Sequence, residues 1–195
     1  MADFTQTVEY FLSQEGGYSA HNDKTGDPET NFGVTIDVAR AYGYLGDMHD
    51  LPRETAIEIY KEKYWPGLDG IKEQAIVTAV FTYRGNMGPS TGIQLLQRAL
   101  NSLGCDLDED GDIGPLTLDA VNTADAPSVM QALVQEAIGF YQDLVSRKPE
   151  KQPYLQGWIN RSMKILQLPT AQAGIAGGMG GLMVGLLLFM MLKNK

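Results

Sequence analysis

Apolar residues recur at helical spacing close to the start of the chain, at Phe4, Val8, Phe11 and Leu12, and the run ends at Glu15-Gly16-Gly17. That pattern predicts an amphipathic helix with Glu15 at its C-terminal end. A polar loop rich in Asp, Asn and Gly carries the chain on to Thr30-Asn31-Phe32-Gly33-Val34-Thr35. Residues 36–44 predict a short helix with Thr35 as its N-cap. A second start follows at Asp50-Leu51-Pro52, with Asp50 as cap and Pro52 in the first turn. Its apolar face is Ala56, Ile59, Tyr60 and Tyr64, and it stops at Trp65-Pro66-Gly67. Residues 71–83 are the most apolar stretch of the body and predict a buried central helix, broken by Arg84-Gly85-Asn86-Met87-Gly88-Pro89. Further helices are expected at 93–100, at 118–121, at 128–145 and from Tyr154 onward. The fold class read from this pattern is all-α, mainly helical.

The C-terminal pattern is of another kind. From Ala171 to Leu192 no residue carries a charge, and Lys193 and Lys195 close the run. At about 1.5 Å per residue, a helix of this length crosses a hydrocarbon core of roughly 30 Å. The expectation is a single C-terminal transmembrane helix and hence a lipid membrane as a partner. Glycines at 174 and 178, 177 and 181, and 181 and 185 repeat a small-xxx-small spacing that lets two such helices approach, so homo-oligomerisation in the bilayer is a further expectation. Basic residues stand on both sides (Arg161, Lys164, Lys193, Lys195), so the positive-inside rule sets no orientation. The first residues predict no signal peptide.

The 195 residues carry 15 basic and 24 acidic side chains, a formal charge of −9. No basic patch supports nucleic-acid binding. One cysteine, Cys105, excludes an internal disulfide and a Cys-based metal cluster, and it reads as a small buried apolar residue. The only histidines are His21 and His49, without a His-x-x-x-His helix, so neither a zinc site nor a cofactor is expected.

Candidate chemistry centres on Glu15. The C-terminal end of a helix is negative and favours cations, so a carboxylate there is disfavoured and tends to keep its proton. A proton kept near neutral pH is what a general acid needs. The alternative at this position is a solvent-exposed Glu before a glycine cap.

Glu15-Gly16-Gly17-Tyr18, followed by the polar loop and Thr30-Asn31-Phe32-Gly33-Val34-Thr35, resembles the start of the glycoside hydrolase family 108 muramidases. The order of a helix Glu, a loop acid and a Thr is also similar to that of phage-type lysozymes, which implies a lysozyme-like fold and peptidoglycan as substrate. The resemblance implies that Glu15 is the proton donor and Tyr18 a substrate contact. It also implies a Tyr-Trp pair closing the third helix, making Tyr64 and Trp65 candidates to line the sugar cleft, although aromatics at helical spacing are more often core. Asn86, in Asn-Met-Gly-Pro, resembles the family's Asn-Ser-Gly-Pro, whose polar loop faces the cleft.

Leu96-Gln97-Arg98-Ala99-Leu100 followed by Asp110-Gly111-Asp112-Ile113-Gly114-Pro115-Leu116-Thr117 resembles the predicted peptidoglycan-binding domain that follows such muramidases, with Thr117 capping the next helix. A competing reading of Asp106, Asp108, Asp110, Gly111 and Asp112 is an EF-hand calcium loop, which fails at its twelfth position because Thr117 stands where a bidentate Glu is required. Phe140-Tyr141 and Gly157-Trp158-Ile159-Asn160-Arg161 resemble the end of family members, with Trp158 read as packing. The organisation expected is a catalytic unit over 1–88, a wall-binding helical unit over 89–168 and an anchor over 169–195.

The resemblance implies hydrolysis of the β-1,4 bond between N-acetylmuramic acid and N-acetylglucosamine, by an enzyme of phage origin. A second carboxylate would activate water or stabilise the sugar cation. Here the family's Asp-x-Gly-Gly-x-Thr is disturbed. Asp23 is the first choice for that carboxylate, Asp27 the second, and Thr30 would position the water. A lytic transglycosylase, which needs only the acid, and a non-catalytic wall-binding virion membrane protein are the alternatives.

Overall fold

A computed structural model of the chain describes residues 2–22 and 26–170. Helix α1 (Phe4–Gln14) opens on Asp3, whose carboxylate accepts from the Gln6 amide, and leads into a small hairpin, β1 (Thr30–Asn31) and β2 (Val34–Thr35). Helices α2 (Ile36–Tyr42), α3 (Arg53–Tyr64), α4 (Gln74–Met87), α5 (Pro89–Ser102), α6 (Pro115–Thr123), α7 (Ala126–Arg147) and α8 (Gln152–Ile165) follow, with short 3₁₀ turns at Met48–Asp50, Leu68–Gly70 and Pro149–Lys151. The body is mainly helical, consistent with a lysozyme-like all-α fold.

Helix α4 is the axis. Every residue from Ala75 to Arg84 is buried, and α1, α3, α5 and α7 all pack against it. A single apolar cluster runs from Val8 through α4 and α5 to Ile165, so the helices before and after Gly88 share one core.

Several boundaries differ from the pattern reading. Helix α4 does not break at Gly85-Asn86 but runs on to Met87. Gly85 is there for packing: a Cβ on it would stand 2.6 Å from Cζ of Phe11, so its lack of a side chain is what lets α1 cross α4. Asp50 caps no α-helix; it ends a 3₁₀ turn, and Pro52 takes the cap position of α3 with no side-chain cap bond. Thr117 lies inside α6, whose start is set by Gly114 and Pro115. Thr35 does cap α2, accepting from the Val38 amide at 3.4 Å.

Tyr64 and Trp65 are corrected from cleft to core. Their exposures are 8 % and 7 %, Trp65 meets Phe4 and Phe81 edge to face, and Tyr64 packs on Tyr60. Rings at i and i+4 on an amphipathic helix gain more from an apolar interior than from a wet groove, and here they close the core beneath α1. Cys105 is half-buried at the edge of the same core.

The acidic loop before α6 is organised by an amide. Gln97, 1 % exposed, donates from Nε2 to Asp110 Oδ1 at 2.7 Å and to the Asp112 carbonyl at 3.0 Å, and its Oε1 accepts from the Gly111 amide at 3.0 Å. Among the described residues no group of three or more His, Cys, Asp or Glu side chains could hold a metal ion. Gln97→Ala removes these bonds and leaves the buried Gly111 amide without its acceptor, and is expected to cost about 1–3 kcal/mol, read by urea unfolding. Added calcium should not restore that loss.

Among the described residues no helix is long and apolar enough to cross a membrane. The stretch 171–192 expected as an anchor, and its glycine spacing, lie outside the described residues.

Candidate active site

The C-terminal end of α1 sets the site. Glu15 leaves helical geometry (φ −86°, ψ 149°) as the cap residue, its amide still bonded to the Leu12 carbonyl. Its side chain is only 15 % exposed. Burial pushes the carboxyl above the usual glutamate range, and the Arg161 guanidinium, by charge and by hydrogen bond, pulls the other way with less effect. Arg161 Nη1 donates to Glu15 Oε1 at 2.9 Å and to Asn86 Oδ1 at 3.4 Å. The Tyr141 hydroxyl belongs to the same group: burial pushes it up to about 12, with Arg161 and Asn86 opposing and Glu15 adding to the rise.

The opposite wall is the hairpin turn. Asn31 and Val34 are paired across a two-residue turn in which Phe32 and Gly33 both have positive φ, 51° and 75°. That is the geometry a tight hairpin demands, and glycine supplies it at Gly33 without strain. Gly33 has a second reason to be glycine: a Cβ there would lie 2.8 Å from Tyr60 Oη and 3.0 Å from Glu15 Oε2. Phe32 is held at its less favourable angle by the Tyr60 hydroxyl, which donates to the Phe32 carbonyl at 3.1 Å. Asn31 fastens the turn from beneath, with Nδ2 donating to the carbonyls of Met48 and His49 at 2.8 and 3.1 Å.

Between α1 and this turn lies an open groove of about 240 Å³, lined by Leu12, Ser13, Glu15, Gly16, Gly17 and Phe32, with Glu9 and Arg53 at one end. Burial that favours the neutral acid and a groove reaching the same carboxyl suit proton donation to a bound molecule.

The remaining sequence candidates are placed as follows. Asn86 joins Glu15 through Arg161, on the last turn of α4 and not in a loop. Tyr18 is exposed, its hydroxyl donating to Glu29 Oε1 at 2.9 Å and its ring edge-on to His49; it is not among the residues lining the groove. Thr30 is half-buried and bridges Ser19 and Thr35 through its backbone. Asp23 lies outside the described residues. Asp27 is engaged by α8 and the turn before it: Lys151 Nζ donates to its Oδ1 and Tyr154 Oη to its Oδ2, the latter at 3.0 Å.

Arg161, Tyr141 and Tyr60 were not among the site residues read from the sequence. Arg161 is 146 positions from Glu15, a separation beyond any local pattern. The sign available in the sequence is a basic residue closing the string Gly157-Trp158-Ile159-Asn160-Arg161, which does not say what it would meet.

The class these features define is a mainly helical, lysozyme-like body with one partly buried acid beside a groove. Comparison with known proteins adds to this. Residues 8–88 match the family Glycosyl hydrolase 108, and residues 91–163 match the family described as Predicted Peptidoglycan domain. Together the two matches support a glycoside hydrolase acting on peptidoglycan. Among solved structures the chain is similar to SagA of Brucella abortus, 24 % identical with a TM-score of 0.70 over 84 % of this chain and 91 % of that one, a likeness that shows the fold. No curated protein sequence matches.

Proposed function

We propose that the chain is an N-acetylmuramidase that hydrolyses the β-1,4 bond between N-acetylmuramic acid and N-acetylglucosamine. Glu15 gives its proton to the leaving glycosidic oxygen. Asp23 activates water or stabilises the sugar cation, and Thr30 positions that water. The observation that carries this reading is the largely buried carboxyl of Glu15 at the wall of a groove, its pKa pushed up by burial. The uncharged run 171–192 would tether the enzyme to a membrane, in a virion or at the host inner membrane, and the body would reach the wall from there; a phage origin fits that placement.

Purified peptidoglycan digested by the full chain, followed by borohydride reduction and mass analysis, tests the bond and the reaction together. Reduced muramic acid at new chain ends is the expected product. Anhydro-muramic ends would mean a lytic transglycosylase, and no new ends would leave a wall-binding protein.

The pH dependence follows from the site. An acid must hold its proton, so activity falls as pH rises through the Glu15 pKa. Arg161 favours the carboxylate, so Arg161→Met leaves burial less opposed and moves the alkaline limb of kcat/KM to higher pH. A limb that stays in place in this variant would show that another group titrates there.

A further inference from the structure

Side chains on or just before α8 reach both carboxylates of interest. Lys151 closes the 3₁₀ turn before it, and Tyr154, Trp158 and Arg161 continue at spacings of three, four and three residues, one face of a helix. Arg161 holds Glu15. Roughly 10 to 15 Å back along the axis, at about 1.5 Å per residue, Tyr154 and Lys151 hold Asp27. Between them Trp158 stacks on Tyr154 and on Tyr141 of α7, with centroids 5.8 and 5.0 Å apart, so the stripe is braced against the core helices.

Asp27 belongs to one of two isolated bridges, Asn22 with Asp27 and Ser19 with Thr30. Its carbonyl accepts from the Asn22 amide at 2.9 Å, and the Asn22 carbonyl accepts from Gly26 at 2.8 Å; the next rung is Ser19 with Thr30. Two isolated bridges give little independent stability. The side chain of Asp27 adds the fastening to the helical body, and Lys151 makes it from a side chain only 17 % exposed. A half-buried ion pair with a second hydroxyl donor is a directional contact, unlike an exposed one.

We propose that Asp27 is a positioning residue that, through Lys151 and Tyr154, clamps the paired segments 19–22 and 26–30 to α8, so that the C-terminal helices form part of the catalytic centre and not only a wall-binding module. The inference rests on the muramidase reading and gives Asp27 an anchoring role in place of the water-activating one. Each of its oxygens accepts from a donor on α8 or the turn before it.

The test uses the full chain with Asp27→Asn, Lys151→Met, their double variant and the reversed pair Asp27→Lys with Lys151→Asp. Turnover on purified peptidoglycan and amide exchange at Ser19, Asn22 and Thr30 are measured side by side. The expected result is a similar loss of kcat, about tenfold, in both single variants and no further loss in the double. Hairpin exchange should be faster in all three, with both properties largely regained on reversal. Asp27→Asn inactive by a thousandfold while Lys151→Met stays within twofold, with the reversed pair dead, would make Asp27 catalytic and overturn the clamp. Unchanged exchange in the single variants would overturn it as well. A wild-type chain without muramidase activity, but with the exchange pattern as expected, would sink the functional reading and leave the clamp standing.

Discussion

Glu15→Gln is expected to lower peptidoglycan hydrolysis by at least about 100-fold, within the roughly 10²–10⁴ that general acid catalysis contributes, while leaving the fold intact. The amide keeps the shape of the side chain and its contact with Arg161 but has no proton to transfer. The effect on stability has a defined sign. Because burial holds the Glu15 carboxyl above its usual range, its contribution to stability is present in acid and is lost as pH rises through the folded-state pKa. At neutral pH the neutral amide should therefore hold or raise Tm, since Arg161 is 29 % exposed and keeps part of its hydration. A sharp fall in Tm would mean that the ion pair, and not burial, dominates this corner of the molecule.

Gly33→Ala is the other large effect. At φ 75° an L side chain costs about 1–2 kcal/mol, and the added Cβ must also displace the Tyr60 hydroxyl and the Glu15 carboxylate, 2.8 and 3.0 Å away. The total expected is roughly 3 kcal/mol of stability, with a fall in kcat/KM of about 10²-fold, because an acid moved by even 1 Å loses its approach to the bond. Gly43→Ala is the matching control. It too has positive φ, 104°, but a Cβ there meets nothing within 4 Å, so it should lose stability without losing activity. Equal losses of activity in the two variants would separate Gly33 from the site.

What could be read from the chain was whatever depends on near neighbours. The spacing of Phe4, Val8 and Phe11 and the pair Gly16-Gly17 place Glu15 at the end of α1, and Thr35 caps α2 as its type and position require. Where a residue's role is set by something distant, the pattern misled. Gly85-Asn86 has the composition of a turn, yet the helix continues because Gly85 makes room for Phe11 from another helix. Tyr64 and Trp65 carry the residue types of a sugar cleft, and the core took them because α1 brings Phe4 across. The acids from Asp106 to Asp112 imitate a cation loop, and the side chain that organises them, Gln97, lies in the preceding helix.

The site shows the same division most clearly. Glu15 and Asn86 are legible; Arg161, whose charge acts on the Glu15 carboxyl, and Tyr141 are not. Arg161, Asn86 and Tyr141 arrive on α8, α4 and α7 and meet only because those helices share one core. The C-terminal helices thus shape the environment of an acid that belongs to the first helix.

The central claim is that the Glu15 carboxyl, its pKa raised by burial, is the proton donor, and titrating that one group in the intact chain tests it most directly. Carboxyl-carbon NMR of ¹³C-labelled protein, with Glu15→Gln to assign the resonance, would be compared with the pH profile of kcat/KM. The account predicts a Glu15 midpoint above that of the other glutamates, coinciding with the alkaline limb of activity. A Glu15 that titrates with the exposed glutamates, or a limb falling well away from its midpoint, would contradict it.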